Sequence, residues 1–393
     1  MRPRRAGTDV FLLALMLGIM STGVLSSLGQ TLLAAPAPRQ QVTPKEHIDR
    51  IVRSMTLDRK LGQMMIVQFQ GPAYSADIAT MIGQYGVGAV VLYVINGNIQ
   101  DKSQLKDLIA QMQKSSALPL LVAVDQEGGR VDRLAKLNGK RPSAAEIAAE
   151  NDPDLATAAG ARDAADLTSY GFNLNLAPVV DVTNAPNPQL RRRTWGNNPD
   201  IVTQMAAAYL QGLQKSGRVF GTLKHFPGLG SVETDPHVGV PDVRRSRTML
   251  EDIDWVPYRA LIARGDVHAV MVTHEVVRAV DPETPSTLSH KMLTGVLREQ
   301  LGFRGVVMTD SLTMEGITAF HPASRSAALA VAAGNDLLMG AKTPEEIAAM
   351  AAGIKRAIDS QAISSSRIDD SVRRILTLKF KLGLLPILKG PPR

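Results

Sequence analysis

Ionisable side chains collect directly after the short apolar runs of this sequence. One such group, DQEGGRVDR at 125–133, follows the apolar run at 119–124. Two other groups begin at Lys224 and at Asp310, and each is also preceded by an apolar run. Carboxylates, histidine and arginine gathered in one pocket are suited to hydrolysis of a polar, hydroxyl-rich ligand. The pattern therefore indicates an enzyme site, and the alternative is that charge simply begins where strands end.

Two of these groups have the chemistry for acid-assisted nucleophilic attack. Asp310 could serve as a carboxylate nucleophile, with the small Ser311 leaving room beside it, although either residue could instead cap the following helix. His237 could donate and accept the proton, because an unperturbed imidazole titrates close to neutral pH. Asp235 lies two residues earlier in an extended loop, so both side chains can point to the same side. Glu233 is the alternative proton donor.

Further charged residues at the same run ends could bind the hydroxyl groups of a sugar. Arginine and lysine are fixed donors, and a carboxylate is an acceptor. The candidate binding residues are Asp125, Arg133, Arg193, Lys224 and His225. The alternative is a ring of structural ion pairs, with His225 as a buried structural histidine.

Metal and cofactor chemistry have weak support in the sequence. Cysteine is absent, and there is neither an H-E-x-x-H motif nor a close histidine pair at helical spacing. His225, Asp235, His237 and His274 are the remaining zinc-ligand candidates. The glycines at 228–230 lack the Lys-Ser/Thr of a phosphate-binding loop. We therefore expect no catalytic metal and no cofactor.

The charge balance does not favour nucleic-acid binding. The 393 residues include 44 Lys and Arg and 37 Asp and Glu, which gives a formal net charge of +7. No long basic run is interleaved with aromatic residues, as nucleic-acid surfaces usually require. DNA and RNA are therefore not expected partners.

Eight apolar runs alternate with helical patterns over most of the chain. The runs occupy residues 64–69, 88–93, 119–124, 172–182, 219–223, 267–273, 305–309 and 335–339. Continuous apolar runs are typical of parallel strands that are buried on both faces. Helical patterns at 101–114, 199–215 and 322–334 separate them, and the tail at 345–385 is predicted to form amphipathic helices that complete the shell. The sequence therefore predicts an α/β fold, a single (β/α)₈ barrel, with an open doubly wound sheet as the alternative.

The first 40 residues have the composition of an export signal or signal anchor. Residues 2–5 are RPRR, and residues 10–38 are uncharged and mostly apolar. A Pro-rich linker at 36–46 follows. We therefore expect a leader at 1–40, a barrel at 41–393, and a location outside the cytoplasm, either released or held by an N-terminal membrane anchor.

Three motifs resemble the family 3 glycoside hydrolases, in particular the bacterial β-N-acetylhexosaminidases. They are DQEGGRVDR at 125–133, KHFPGLGSVETDPHVGVP at 224–241 and VMTDSLTM at 307–314. Weaker similarities occur at 193–196, 287–289 and 367–383. The resemblance covers about 46 to 385, and the KHFPG motif with its downstream D-x-H is the most specific part.

The resemblance implies a single-domain barrel that removes terminal β-linked N-acetylglucosamine with retention, through a covalent glycosyl-aspartate and without a cofactor. It implies that Asp310 is the nucleophile and that His237, paired with Asp235, is the acid/base. It also places the sugar-binding positions of the family at Asp125, Arg133, Arg193, Lys224 and His225. The expected substrate is an N-acetylglucosamine-containing glycan or muropeptide, as in peptidoglycan turnover, and the expected state is a monomer.

The chain departs from the family pattern at two positions. Leu229 stands where the family often has histidine, and Pro236 stands where it often has serine. Proline fixes φ and therefore stiffens the loop that carries His237.

Three other functions stay open from the sequence. One is a β-glucosidase of the same superfamily, although those enzymes usually take their acid from a second domain that this chain is too short to include. The others are an N-acetylglucosaminide phosphorylase and a non-catalytic sugar-binding barrel.

Overall fold

Eight parallel strands close into a barrel in the computed structural model, which describes residues 43–235 and 239–385. The strands are β1 (Met65–Val67), β2 (Ala89–Val91), β3 (Leu121–Val124), β4 (Leu174–Asn175), β5 (Phe220–Phe226), β6 (Ala269–Val272), β7 (Val306–Ser311) and β8 (Leu337–Met339). Each strand pairs with its neighbours along the chain, and β8 pairs with β1 to close the ring. The predicted (β/α)₈ barrel is therefore confirmed, and the alternative of an open sheet is wrong.

Helices surround the strands and connect them. They are α1 (Pro44–Ser54), α2 (Leu57–Gln63), α3 (Ala76–Thr80), α4 (Lys102–Ser115), α5 (Ala135–Asn138), α6 (Ala144–Ala149), α7 (Pro153–Tyr170), α8 (Pro199–Gln214), α9 (Arg247–Met249), α10 (Val256–Ala263), α11 (Glu315–Thr318), α12 (Ala323–Ala333), α13 (Pro344–Asp359) and α14 (Ser365–Lys381). Wider π-helical turns occur at Met81–Tyr85, Leu250–Asp254 and Lys291–Gln300, and a 3₁₀ turn occurs at Ser286–Leu288. Two short ribbons lie outside the barrel: Gln126–Gly128 pairs with Val131–Asp132, and Asp242–Val243 pairs with Val276–Val277.

The strands are buried on both faces, as the continuous apolar runs predict. Every residue of β1, β2, β3, β6 and β8 is buried. The run at 172–182 forms a shorter strand than predicted. Its strand, β4, covers only two residues, and a single bridge between Val179 and Lys224 follows. Pro178 interrupts this run, and a proline has no N–H to donate to a neighbouring strand.

The helix that ends the described chain lies across the barrel rather than beside it. Along its length, α14 bonds to residues that directly precede strands: Arg374 to Asp336 before β8, and Lys379 to Gln63 before β1. It therefore covers the amino-terminal face, where strands begin. The tail is helical, as predicted, but its last helix closes one end of the barrel instead of completing the outer shell.

The predicted leader at 1–40 lies outside the described residues. In the part of the chain that is described, no helix combines the length and apolar character needed to cross a bilayer.

Candidate active site

A cavity of about 280 Å³ opens at the carboxyl ends of the strands, opposite α14. Its lining is mostly polar and comes from strands or loops at nearly every position around the ring. The lining residues include Tyr93, Asp125, Glu127, Arg130, Arg133, Gln189, Arg193, Lys224, His225 and Asp310. The structure thus brings together six of the residues predicted from sequence, namely Asp125, Arg133, Arg193, Lys224, His225 and Asp310.

An irregularity in β5 places two consecutive side chains in this cavity. Neighbouring residues of a regular strand point to opposite faces, so Lys224 and His225 should not both face inward. The pairing of β5 with β6 shifts register between Leu223 and Phe226, the two positions that flank the pair. Such a bulge redirects side chains and is common beside active sites.

Glu127 holds two cationic residues at the base of the cavity. Its carboxylate accepts from Arg193 Nε at 2.7 Å and from Arg193 Nη2 at 2.8 Å, and it pairs with Lys224 Nζ at 2.6 Å. These charges keep the pKa of the buried carboxyl well below its usual value, although burial alone would raise it. Lys224 Nζ also bonds to Asp125 Oδ1 at 2.6 Å. The four side chains form a fixed network that holds the donors in position.

Asp181 orients the ring of His225 from behind. The two are 2.7 Å apart at Nδ1 and Oδ2, and the other ring nitrogen lies 3.3 Å from Arg193 Nη2. A carboxylate only accepts and a guanidinium only donates, so the proton of the ring belongs on Nδ1. Asp181 Oδ1 also accepts from the N–H of Leu229 at 2.8 Å, which ties the following loop to the same anchor.

Asp310 is the last but one residue of β7, and it lines the cavity. Its Oδ1 accepts from the N–H of Ser311 at 2.7 Å. Neither residue caps a helix, since α11 begins five residues later with Met314 at its cap position. The ring of His274 supports this strand end, because its Nε2 lies 2.9 Å from the carbonyl oxygen of Ser311 and its Nδ1 lies 2.8 Å from Thr287 Oγ1.

The loop that carries the predicted acid/base approaches the cavity through Asp235. Gln189, which lines the cavity, donates its side-chain amide to Asp235 Oδ2. His237 and Pro236 lie outside the described residues, so the predicted pairing of His237 with Asp235 stays a prediction. Glu233, the alternative donor, is exposed and does not line the cavity.

Arg133 and Tyr93 complete the wall that faces Asp310. Arg133 forms no ion pair with any residue in the described ranges, and its Nε is buried without a hydrogen-bond partner there. Burial, together with the charges of Asp125 and Asp310, raises the pKa of the Tyr93 phenol well above its ordinary value. Arg133 is therefore available as a donor to a bound ligand, whereas the Tyr93 hydroxyl donates to Met339 Sδ at 3.7 Å.

Comparison with known proteins identifies the family of this barrel. Residues 56–378 match the family described as glycosyl hydrolase family 3 N terminal domain. The chain belongs to glycoside hydrolase family 3.

Relatives within family 3 cover most of this chain. A protein named beta-hexosaminidase from Tolumonas auensis is 34% identical over 325 residues, which are 82% of this chain and 96% of the relative. The structure of a family 3 beta-N-acetylglucosaminidase from Paenibacillus sp. str. FPU-7 has a TM-score of 0.79 and 35% identity, and the match covers 86% of this chain. A beta-glucoside phosphorylase has a TM-score of 0.78 and 27% identity over 86% of this chain. This chain spans only 65% and 61% of those two solved chains.

Four residues of this family 3 site were not identified from the sequence. They are Tyr93, Glu127, Asp181 and Gln189. Glu127 lies inside the DQEGGR motif, and its spacing of two residues from Asp125 is a signal that could have identified it, because both side chains can then face one pocket. Asp181 lies near the end of the apolar run at 172–182, but the sequence does not show that it is the partner of His225. Nothing in the local pattern singles out Tyr93 or Gln189, which join the site only through the closure of the barrel.

The family 3 barrel has no evident metal site in its described part. Within residues 43–235 and 239–385, no three histidine or acidic side chains are grouped to hold an ion. Of the zinc-ligand candidates, His225 faces Asp181 and Arg193, whereas His274 is fully buried beneath Ser311.

Proposed function

We propose that this family 3 enzyme is a retaining exo-β-N-acetylglucosaminidase with Asp310 as its nucleophile. The observation that carries the proposal is the position of Asp310 in one polar cavity with Lys224, Arg133 and Asp125. The names of the relatives, beta-hexosaminidase and beta-N-acetylglucosaminidase, support the choice of sugar.

In the first step, an Asp310 oxygen attacks the anomeric carbon and the bond to the leaving oxygen breaks. His237 gives its proton to that oxygen, so the alcohol departs neutral and a glycosyl-aspartate ester remains. In the second step, His237 removes a proton from water, the water oxygen bonds to the anomeric carbon, and the Asp310 carboxylate is released. Two inversions give net retention.

The surroundings of the loop favour His237 as the proton carrier. Asp235 is bonded to Gln189 at the cavity wall, so the loop reaches the cavity two residues before His237. Glu233 is exposed on the same loop, which leaves it a weaker candidate for meeting the leaving oxygen.

The fixed network leaves hydrogen-bonding capacity for a sugar. An ammonium has three donors, and Lys224 uses two on Asp125 and Glu127. Asp125 bonds to Lys224 through one carboxylate oxygen, so the other can accept from a hydroxyl. Arg133 can offer two parallel N–H groups. Each hydroxyl of a sugar both donates and accepts hydrogen bonds, so this mixture of donors and acceptors suits a sugar ring.

One assay tests the nucleophile and the sugar together. Purified enzyme is offered an aryl β-N-acetylglucosaminide and an aryl β-glucoside, each with and without phosphate. Asp310→Asn should lower turnover by about a thousandfold or more, since the covalent step is lost. Asp252→Asn, the same change at an exposed position, should leave turnover unchanged. Full turnover by Asp310→Asn would remove the proposed nucleophile, and turnover of the glucoside alone would overturn the proposed sugar.

A second comparison tests the proton carrier. His237→Ala should slow poor leaving groups by about 10² to 10⁴ and activated aryl groups much less, because only poor leaving groups need protonation. If Glu233→Ala shows this pattern and His237→Ala does not, the assignment of His237 is wrong. A rate increase with phosphate, and a sugar phosphate as product, would indicate phosphorolysis instead of hydrolysis.

The location outside the cytoplasm also stays a proposal, and it rests on the composition of residues 1–40. Fractionation of cells that express the full chain would test it. Enzyme found only in the cytoplasm would refute it.

A further inference from the structure

A second cavity lies on the opposite end of the barrel from Asp310. It has a volume of about 470 Å³, within the range of ligand-binding cavities. Its lining residues come from three segments, 262–268 before β6, 302–306 before β7 and 373–381 of α14, and Asp266 of the first segment is not among them. We call it the basal cavity. It shares no lining residue with the cavity at the carboxyl ends of the strands.

The lining of the basal cavity carries charge of one sign only. Its cationic residues are Arg304, Arg373, Arg374 and Lys381, and His268 lies among them. None of the lining residues is acidic. A concave surface with charge of one sign concentrates counter-ions of the opposite sign.

Two of these cations have no acidic partner in the described chain. Arg373 is balanced by Asp49 at 2.8 Å and Asp370 at 2.9 Å. In contrast, Arg304 and Lys381 form no ion pair with any residue of the ranges 43–235 and 239–385 and are exposed to solvent. They leave two positive charges uncompensated at the cavity.

Arg374 is only partly compensated as well. Its Nη1 is 3.1 Å from Asp336 Oδ1, but the same buried carboxylate also pairs with Arg298 at 2.6 Å and with Arg367 at 3.3 Å. Three guanidinium groups thus share one carboxylate directly behind the cavity. The positive charge around Asp336 therefore adds to the charges of Arg304 and Lys381.

The ring of His268 lies among these cations. Partial burial, and to a smaller extent the charge of Lys381, lower the pKa of the ring to about 4, although the charge of Asp266 opposes the shift. The ring is therefore neutral at neutral pH and can donate one N–H without adding charge.

We propose that the basal cavity binds a phosphate group through Arg304, Arg374 and Lys381. Guanidinium groups bind the oxygens of a phosphate in parallel pairs, and an ammonium adds a point charge. A phosphate also carries negative charge, which would balance the excess of positive charge at the basal cavity.

The phosphate can come from a lipid headgroup or from a soluble ligand. The position of α1 favours the lipid, because its Asp49 is bonded to Arg373 at the edge of the basal cavity and α1 begins directly after the proposed leader. A membrane bound at this face would leave the mouth of the barrel, with Asp310, directed away from the bilayer.

Binding of a defined probe tests the proposal with the full chain. Calorimetric titration with inorganic pyrophosphate should show one saturable site. The double variant Arg304→Gln/Lys381→Gln should weaken binding by about tenfold or more, since two charge-assisted contacts are lost. Lys102→Gln/Lys140→Gln removes the same net charge from two exposed positions outside the basal cavity, the first residue of α4 and the loop after α5, and should bind like the wild type. Hydrolysis of an aryl substrate should be unchanged in both variants, which verifies that each is folded.

Vesicles distinguish the two sources. If the source is a lipid, vesicles of phosphatidylglycerol and phosphatidylcholine should bind the wild type more than the Arg304→Gln/Lys381→Gln variant, and pyrophosphate should compete. Equal binding of both proteins to vesicles, with the pyrophosphate difference retained, would assign the site to a soluble phosphate. Absence of pyrophosphate binding, or equal binding by the two double variants, would overturn the proposal.

Discussion

Replacement of Glu127 by glutamine tests how much the structure of the cavity at the carboxyl ends of the strands depends on one buried charge. The Glu127 side chain is 4% exposed, and its partners Arg193 and Lys224 are 12% and 2% exposed. Glutamine keeps the shape of the side chain but is neutral, and it presents an amide N–H₂ to groups that can only donate. The substitution therefore leaves Arg193 and Lys224 buried with too little negative charge around them.

The expected loss of stability follows from the three short contacts of this carboxylate. Glutamine can retain one acceptor, so it cannot satisfy both arginine contacts and the lysine contact. Removing one partner from a buried ion pair costs about 3–5 kcal/mol, because the remaining charge stays uncompensated. We expect Glu127→Gln to lower the free energy of unfolding by this amount and to raise KM strongly, since Lys224 and Arg193 lose their fixed positions.

Urea denaturation followed by circular dichroism measures the effect, with Glu146→Gln as the matched control. Glu146 pairs with Arg192, and both side chains are about half exposed. Exposed pairs contribute about 0–1 kcal/mol, so this control should change little. If Glu127→Gln proves as stable as Glu146→Gln and keeps its KM, the network around Glu127 does not support the site.

Three other changes test separate parts of the fold. Burial lowers the pKa of the Lys379 ammonium to about 7, so between pH 7 and 10 the unfolded chain binds a proton that the folded chain does not. The free energy of unfolding should therefore rise with pH over this range, by on the order of 4 kcal/mol, and Lys379→Met should abolish the rise in urea denaturation series. His274→Ala should lower kcat by about tenfold with a small change in KM, because the ring supports the carbonyl of Ser311 next to Asp310, the proposed nucleophile; an unchanged kcat would contradict this role. Gly160→Ala should destabilise the protein by about 1–3 kcal/mol, because the new Cβ would lie 2.1 Å from a backbone oxygen of α8. Gly295→Ala meets no atom within 4 Å and is the control, so equal melting temperatures for these two variants would refute the packing argument.

The architecture was predictable because burial on both faces of a parallel strand leaves a local signature. Runs such as 119–124 and 267–273 contain apolar residues without alternation, and they form the fully buried β3 and β6. Local signals were less reliable for strand length. The run at 172–182 is mostly apolar, but its regular pairing covers only Leu174–Asn175, ahead of Pro178.

The sequence predicted the candidate site where ionisable residues lie at the ends of strands. Lys224, His225 and Asp310 follow or end apolar runs, and all three line one cavity. The contacts, and not the sequence, exclude one alternative, a helix cap at Asp310. Asp310 caps no helix, and His225 is both held by Asp181 and exposed to the cavity beside Arg193.

By itself, the sequence determined the number of strands, the barrel and the kinds of side chain at its mouth, because each of these depends on patterns within a few residues. Only the tertiary structure decided which side chains meet. Glu127 bonds to Arg193 across 66 positions, Lys224 bonds to Asp125 across 99, and Asp336 at the far end pairs with Arg298 and with two arginines of α14. Such contacts depend on the register of strands that close into a ring and on a bulge that turns two neighbours to one side. No local pattern contains that information, because it arises only when distant segments pack together.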